Sequence, residues 1–180
     1  MSRVIIFDTE TTGLLKPSSA PLEKQPKIIE LGALAVNLSG VLGELSQLLD
    51  PEQEIDPKIT KITGIKQEQL EGQPTFLEFY PRLKEFFVGA DFMICHNAPF
   101  DHGMLQNELR RHDLLEDFPM PTPICTVQEY MCLFGRRAKM TEVYERLCGR
   151  PLAQTHRALD DVTALYEILL EDKLLEKLLS

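Results

Sequence analysis

Two carboxylates stand two residues apart, directly after the first apolar run of the chain. Asp8 and Glu10 follow residues 3–7 (RVIIF) and belong to the segment DTETTGL. Alternate residues of an extended chain point to the same side, so both side chains should face one way. Neighbouring carboxylates are costly unless they are protonated or bridged by a cation, and Mg²⁺ prefers such oxygen ligands. The pair predicts a divalent metal site, with an acidic turn after a strand as the alternative.

Two later segments carry further groups that bind metals or move protons. Asp101 ends the segment HNAPFD, in the first turn of a predicted helix, where a carboxylate can also simply complement the helix dipole. His156 and Asp161 lie five residues apart in HRALDD. Five residues of helix turn through roughly 500°, so these two side chains should flank one side of the helix start without touching. The alternative for this segment is a polar helix cap, with Asp160 and Asp161 as solvated charges.

The elements that must position these groups alternate between strands and helices. Short apolar runs at residues 3–7 and 91–95 predict buried strands, and residues 28–38 and 41–49 flank Ser39-Gly40 as a hairpin does. Such a hairpin, joined to a strand–helix–strand unit, predicts a mixed sheet with helices on its faces. The remaining segments predict a loop over 51–57, a helix from Thr75 that Pro81 kinks or shortens, and helices over 99–112, 124–134, 140–148 and 156–177.

Composition limits the class of protein. A chain of 180 residues with 43% apolar and 26% charged residues is typical of one globular domain, so we predict a single domain over residues 1–180. No apolar run approaches the roughly 20 residues that cross a bilayer, and no export signal is visible, so we expect a cytoplasmic protein without a membrane partner. The net charge of −9 argues against a broad basic face for nucleic acid, but not against an enzyme that binds one strand end through metals.

Taken together, the three segments resemble the motifs of a known family. The patterns D-x-E in DTETTGL, N-x-x-F-D in NAPFD and H-x-A-x-x-D in HRALDD occur in the order found in the DEDDh 3′–5′ exonucleases. This DnaQ-like family includes the proofreading epsilon subunit of bacterial DNA polymerase III. The segments IIELGA (28–33) and ITGI (62–65) look like further landmarks of the family. The resemblance implies an α/β, ribonuclease-H-like fold, with a five-stranded mixed sheet, helices on both faces and two bound Mg²⁺ or Mn²⁺ ions.

The resemblance also implies a role for each site residue. His156 takes the place of the general base, and a histidine with an ordinary pKa of about 6.5 suits that task near neutral pH. Asp161 is preferred to Asp160 because the last aspartate of the motif lies five residues after the histidine. For Ile65 and Phe100, core packing is the alternative to a base contact. The implied metal ligands are Asp8, Glu10, Asp101 and Asp161, and the implied substrate-binding residues are Thr11, Thr12, Gly13, Leu14, Thr63, Ile65, Asn97 and Phe100.

The implied activity is metal-dependent hydrolysis of phosphodiester bonds at 3′ ends of DNA or RNA, releasing nucleoside 5′-monophosphates. The expected partners are a single-stranded or frayed 3′ end and a polymerase or repair complex, while the sequence leaves the oligomeric state open. Two other functions stay open as alternatives: a catalytically silent nuclease-like interaction module, and a Mg²⁺ phosphohydrolase of small esters. The basic run at residues 135–139 (GRRAK) is either a contact for strand phosphates or a solvated loop.

Overall fold

A five-stranded mixed sheet lies at the centre of the protein, in a computed structural model that describes residues 2–179. The strand order is β3-β2-β1-β4-β5, with β2 antiparallel to β1 and β3, and with β1, β4 and β5 parallel to one another. The predicted mixed sheet and the predicted hairpin are confirmed. The strands are β1 (Val4–Thr11), β2 (Ile28–Asn37), β3 (Gly40–Leu48), β4 (Phe92–Cys95) and β5 (Thr122–Cys125).

Helices cover both faces of this sheet, as the resemblance implied. The face that includes Ile5 and Phe7 of β1 packs against α3 and α4, and the opposite face, with Val4 and Ile6, packs against α7 and α8. These four side chains are fully buried, which explains why β1 is an almost continuous apolar run. The helices are α1 (Pro57–Thr63), α2 (Gln67–Leu70), α3 (Phe76–Phe87), α4 (Ala98–Arg111), α5 (Thr126–Glu129), α6 (Met131–Phe134), α7 (Met140–Cys148), α8 (Ala158–Glu171) and α9 (Leu174–Leu179).

The fifth strand corrects the helix predicted over 124–134. Residues Thr122–Cys125 form β5, which pairs in parallel with β4 at the edge of the sheet, and only α5 and α6 follow as short helices. The strand is four residues long and contains Pro123, which has no N–H to donate and is therefore tolerated at a sheet edge. A run this short carries no clear alternation, so the pattern of the sequence favoured the helix.

Three helix boundaries also differ from the predictions. The helix α3 runs through Pro81 from Phe76 to Phe87, so the predicted shortening is wrong, and its Thr75–Glu78 capping box is formed as predicted. Pro81 is exposed, so water can bond to the Leu77 carbonyl, which loses the hydrogen bond that a proline cannot donate. The predicted loop over 51–57 ends at Asp56, whose side chain caps α1 by accepting a hydrogen bond from the Lys58 N–H. The last predicted helix, 156–177, begins at Ala158 and is divided into α8 and α9. Across residues 2–179, no helix combines the length and the apolar character needed to cross a membrane.

Candidate active site

The acidic residues of the first segment lie where β1 extends beyond its parallel neighbour. β1 pairs with β4 only from Val4 to Ile6, whereas it pairs with β2 as far as Thr11. The sequence predicted that the strand would end at Asp8, but it continues through Glu10 as regular extended chain. Both carboxylates are therefore on one face of a strand with a free edge, where other elements can approach them.

Asp101 enters the gap beside this free edge from the first turn of α4. Its Oδ1 accepts two hydrogen bonds from Thr9, one from the backbone N–H at 3.0 Å and one from the hydroxyl at 2.8 Å. The Asp101 side chain is buried. Two hydrogen bonds from one residue of β1 thus fix the position of a carboxylate that belongs to a different element.

The start of α8 completes the cluster. Asp161 is buried in the first turn of this helix and accepts a hydrogen bond from the Gln154 amide at 3.3 Å. His156 is exposed in the preceding loop, with a left-handed φ of 53°. One ligand atom from each of Glu10, His156 and Asp161 lies within 4.8 Å of the other two. His156 and Asp161 thus lie near one another without a hydrogen bond between them, as expected for side chains that flank the helix start, although His156 precedes the helix and is not part of it.

Burial and mutual repulsion raise the proton affinity of the cluster. Burial, followed by the negative charges of Asp161 and Glu30, raises the pKa of Glu10 from its ordinary 4.5 to about 8. Burial likewise raises the pKa of Asp101 to about 7, against the lowering effect of its hydrogen bonds from Thr9. The pKa of Asp8 lies well above its usual range, first through burial and then through the charge of Asp101. A cluster of this kind needs protons or cations to be stable at neutral pH.

The donor set fits divalent cations. Asp8, Glu10, Asp101 and Asp161 offer carboxylate oxygens, which are the ligands that Mg²⁺ and Mn²⁺ prefer. Burial is the largest cause of the raised pKa values of these groups, and the neighbouring like charges that add to it are what a bound cation would offset. A purely structural cluster would gain nothing from this arrangement, so the chemistry of the residues agrees with a metal site.

An ion pair that the sequence analysis did not assign holds the start of α8 against β2. The Arg157 Nε lies 3.0 Å from both carboxylate oxygens of Glu30, and its Nη2 lies 2.6 Å from Oε1. Glu30 also accepts the backbone N–H of Ala158 at 3.1 Å. Because Arg157 follows His156 directly, this pair anchors the loop that carries the histidine.

Close backbone contact supports the same junction. A Cβ atom at Gly32 would lie 2.4 Å from the Ala158 carbonyl carbon, so only glycine lets β2 approach the helix this closely. The sequence held signals for both features. A glutamate inside the apolar strand IIELGALAV indicates a buried charge that needs an oppositely charged partner. A glycine in the same strand indicates that another backbone approaches closely.

The end of β1 and the turn that follows it come directly after Glu10 and hold four predicted substrate-binding residues. The Thr11 hydroxyl donates to the Gly13 carbonyl at 2.7 Å, and Thr12 forms two hydrogen bonds with the backbone of Lys27, both at 2.9 Å. These contacts shape the turn, while the Leu14 side chain remains 82% exposed. An apolar side chain held in solvent four residues after Glu10 is suited to contact a nucleotide.

The other predicted substrate-binding residues differ in their accessibility. Ile65 is buried in a small cluster with Ile29, and Thr63 is buried nearby, with its hydroxyl donating to the Ile59 carbonyl at 3.0 Å. Core packing accounts for Ile65, and a substrate contact by either residue stays a prediction. Phe100 is partly buried and packs against the core of the α3–α4 face, which also accounts for its position.

Asn97 links the second motif to the basic run at residues 135–139. It has a left-handed φ of 83° at the start of α4, and its Oδ1 accepts a hydrogen bond from Arg137 Nη2 at 2.8 Å. Left-handed backbone is uncommon outside glycine; Asn97 and His156 adopt it here, and Glu52, Asp113 and Lys173 adopt it elsewhere in the described chain. Arg136 instead pairs with Glu142 at 2.5 Å, away from this junction. Within the basic run, Arg137 therefore contacts the second motif, whereas Arg136 is paired with Glu142.

Comparison with known proteins agrees with this geometry. Residues 5–169 match the family model for the RNase_T exonucleases. The chain belongs to this exonuclease family. The match spans all three motifs and confirms the resemblance on which the predicted roles rest.

Relatives of this RNase_T domain include parts of longer proteins. The chain is 34% identical over 165 residues to a PolC-type DNA polymerase III of Clostridium perfringens, covering 92% of this chain but 11% of that protein. It is 32% identical over 181 residues to the epsilon subunit of DNA polymerase III of Escherichia coli K12, covering 94% of this chain and 71% of the subunit. A solved structure of the nuclease domain of 3′hExo, a DEDDh family member bound to rAMP, superposes with a TM-score of 0.76 at 19% identity. That superposition covers 95% of this chain and 92% of the 3′hExo chain. It confirms the fold.

Proposed function

We propose that the protein is a metal-dependent 3′–5′ exonuclease that hydrolyses phosphodiester bonds at 3′ ends and releases nucleoside 5′-monophosphates. One observation carries the proposal: three segments far apart in sequence converge at the free edge of β1. There, ligand atoms of Glu10, His156 and Asp161 lie within 4.8 Å of one another, and Thr9 holds Asp101 at the same edge. A nuclease-like interaction module would have no need for a costly group of carboxylates around a histidine.

The four carboxylates would hold two Mg²⁺ or Mn²⁺ ions, with Asp8, Glu10, Asp101 and Asp161 as the ligands. When bound, a pair of such ions stabilises the charge on both the attacking and the leaving oxygen of a phosphodiester. The chain's own contribution is to hold the ligands before substrate arrives. Thr9 fixes Asp101, Gln154 fixes Asp161, and the rigid strand β1 holds the first two carboxylates.

His156 acts as the general base in this proposal. Its imidazole is exposed to solvent beside the cluster, so it can accept a proton from the attacking water. The water oxygen then bonds to phosphorus, and the bond from phosphorus to the 3′ oxygen breaks. The leaving 3′ oxygen takes up a proton from solvent, so the shortened strand keeps a 3′-hydroxyl, and the released nucleotide carries the 5′-phosphate.

The turn after β1 would hold the terminal nucleotide. Thr11, Thr12 and Gly13 supply backbone and hydroxyl groups, and Leu14 presents an exposed apolar surface to the base or sugar. Asn97 would orient the rim through its hydrogen bond to Arg137. Thr63, Ile65 and Phe100 are buried or partly buried, so each would contact the base only through the part of its side chain that remains accessible.

DNA is the substrate that the relatives favour, and RNA is the alternative. The PolC-type and epsilon relatives are named as parts of DNA polymerase III, which also makes a polymerase or repair complex the partner to test. The 3′hExo nuclease domain is described as bound to rAMP, and this supports a ribonucleotide substrate as the alternative. We further propose that residues 1–180 act as a single exonuclease domain.

A ladder assay tests the proposed function. The purified protein is incubated with 5′-labelled single-stranded DNA and RNA of one sequence, in Mg²⁺, in Mn²⁺ and in chelator. The proposal predicts a metal-dependent ladder that shortens from the 3′ end, and the faster substrate identifies the preferred nucleic acid. Absence of cleavage on both strands, together with hydrolysis of a small phosphate ester, would favour a phosphohydrolase instead.

A further inference from the structure

A cavity of about 460 Å³ lies between the loop that follows β1 and the outer face of α4. Its walls come from residues 15–25 and from Gly103, Asn107 and Arg110 of the helix. This volume falls in the range of roughly 300–1,000 Å³ that small-ligand sites occupy. None of the carboxylates assigned to the metal site lines it. The cavity is therefore a separate feature that the proposed mechanism leaves without a role.

The loop that forms one wall is fixed in place by its own hydrogen bonds. The buried Gln25 side chain accepts the Lys16 N–H at 3.0 Å and donates to the Lys16 carbonyl at 3.2 Å. From the opposite wall, Arg111 Nη2 donates to the carbonyl oxygens of Gln25 and Pro26, both at 2.7 Å. These contacts tie the loop to itself and to α4. A ligand would thus meet a preformed cavity and would not have to order the loop.

The polar groups that line the cavity favour an anion. Lys16 and Arg110 contribute two positive charges, and no acidic residue is among the lining residues. The Asn107 side chain lines the same space and offers an amide that can donate a hydrogen bond to an anion. On a chain with a net charge of −9, two cations and an amide around one cavity are a local reversal of charge.

The remaining wall is apolar. Leu15, Ala20 and Leu22 line the cavity beside the charged groups. An anion flanked by an apolar surface has the chemistry of a nucleotide, in which a phosphate is joined to a sugar and a flat base. Inorganic phosphate alone would leave this apolar wall uncovered.

We propose that this cavity binds the phosphate of a nucleotide, with the sugar or base against the apolar wall. The inference rests on the proposed function, because the ligand is the strand or the product of that reaction. Gly103 and Arg110 lie two and nine residues beyond Asp101, roughly 3 to 14 Å along the helix axis, and both are turned by about 180° from Asp101 around α4, so the cavity opens on the far side of the helix from that carboxylate. Two sources offer this chemistry: the substrate strand behind its 3′ end, and free nucleoside 5′-monophosphate.

Equilibrium binding tests the cavity independently of cleavage. In a His156→Ala background with Mg²⁺, fluorescence anisotropy measures the affinity for a single-stranded DNA 8-mer, and calorimetry measures the affinity for AMP. The double variant Lys16→Ala/Arg110→Ala should weaken binding about 3–10-fold and reduce the salt slope by about one. The matched control removes the same charge from two exposed side chains elsewhere, as Lys58→Ala/Arg146→Ala, and should bind as the background protein does.

A second variant keeps the test independent of the exposed charges. Asn107→Asp preserves the shape of the side chain but places a carboxylate in the cavity, so it should weaken binding to a similar extent. A loss of affinity for the 8-mer alone identifies the strand as the source, and a loss for AMP identifies the free nucleotide. Affinities equal to the control for both ligands would overturn the proposal, as would an Asn107→Asp variant that binds both normally. The metal-dependent ladder of the unaltered protein tests the exonuclease function separately.

Discussion

Replacing Glu10 by glutamine should stabilise the metal-free protein while removing its activity. Burial and the charges of Asp161 and Glu30 raise the pKa of Glu10 from 4.5 to about 8. One pKa unit corresponds to about 1.4 kcal/mol, so at pH 7 the ionisable group costs at most on the order of 3 kcal/mol of folding free energy. Solvent screens part of this cost because the side chain is not fully buried. We therefore expect Glu10→Gln to raise the free energy of unfolding by about 1–2 kcal/mol in chelator.

The raised pKa of Glu10 also predicts how the free energy of unfolding depends on pH. The folded pKa lies above the unfolded one, so the protonated carboxyl contributes stability that is complete below about pH 4.5. That contribution is lost as the pH rises toward 8. In chelator, the unaltered protein should lose stability between pH 5 and 8, and Glu10→Gln should lose less. Saturating Mg²⁺ should stabilise the unaltered protein most at the upper end of this window, because cations replace protons in the cluster.

Urea denaturation at four pH values, with and without Mg²⁺, measures these effects, and the ladder assay measures activity on the same preparations. The matched control is Asp160→Asn, which removes an exposed carboxylate beside the cluster and should change neither property appreciably. A Glu10→Gln protein that is less stable than the unaltered one in chelator at pH 7 would refute the electrostatic reasoning. So would a stability difference that does not depend on pH.

Three further predictions concern the proposed chemistry and substrate contacts. Asp161→Ala should abolish cleavage with little loss of secondary structure by circular dichroism, whereas near-full activity would contradict its role as a metal ligand. His156→Ala should lower kcat by about 10²–10⁴-fold and remove the acidic limb of the pH–rate profile, and a variant that keeps this limb would argue for a different base. Arg137→Ala should raise KM and flatten the salt dependence of KM, whereas the control Arg136→Ala, whose side chain pairs with Glu142, should do neither. Equal KM values for both variants would favour a solvated loop.

The central part of the fold follows from patterns that are visible in the sequence. β1 and β4 are buried on both faces and read as apolar runs, and the β2–β3 hairpin turns at a glycine with φ of 123°. β5 was missed because it is a four-residue edge strand, in which neither alternation nor apolar character is developed. The number of strands was therefore available only from the resemblance to a family.

The site was predictable as a set of residues but not as a structure. The three motifs and the family that they resemble pointed to the carboxylates and His156, and ligand atoms of Glu10, His156 and Asp161 do lie within 4.8 Å of one another. The ion pair of Arg157 with Glu30 and the hydrogen bonds from Thr9 to Asp101 join residues 127 and 92 positions apart. Contacts over such separations depend on how β2, α4 and α8 pack, which local periodicity does not encode.

Binding of Mn²⁺ tests the central claim, that four carboxylates at the free edge of β1 form a two-metal site. Free Mn²⁺ is followed by electron paramagnetic resonance during titration of the protein in the presence of AMP, for the unaltered protein, Asp8→Asn and Asp160→Asn. We predict two bound Mn²⁺ ions per chain in the unaltered protein and in Asp160→Asn, and at most one in Asp8→Asn. Absence of bound Mn²⁺, or equal stoichiometry in all three proteins, would contradict it.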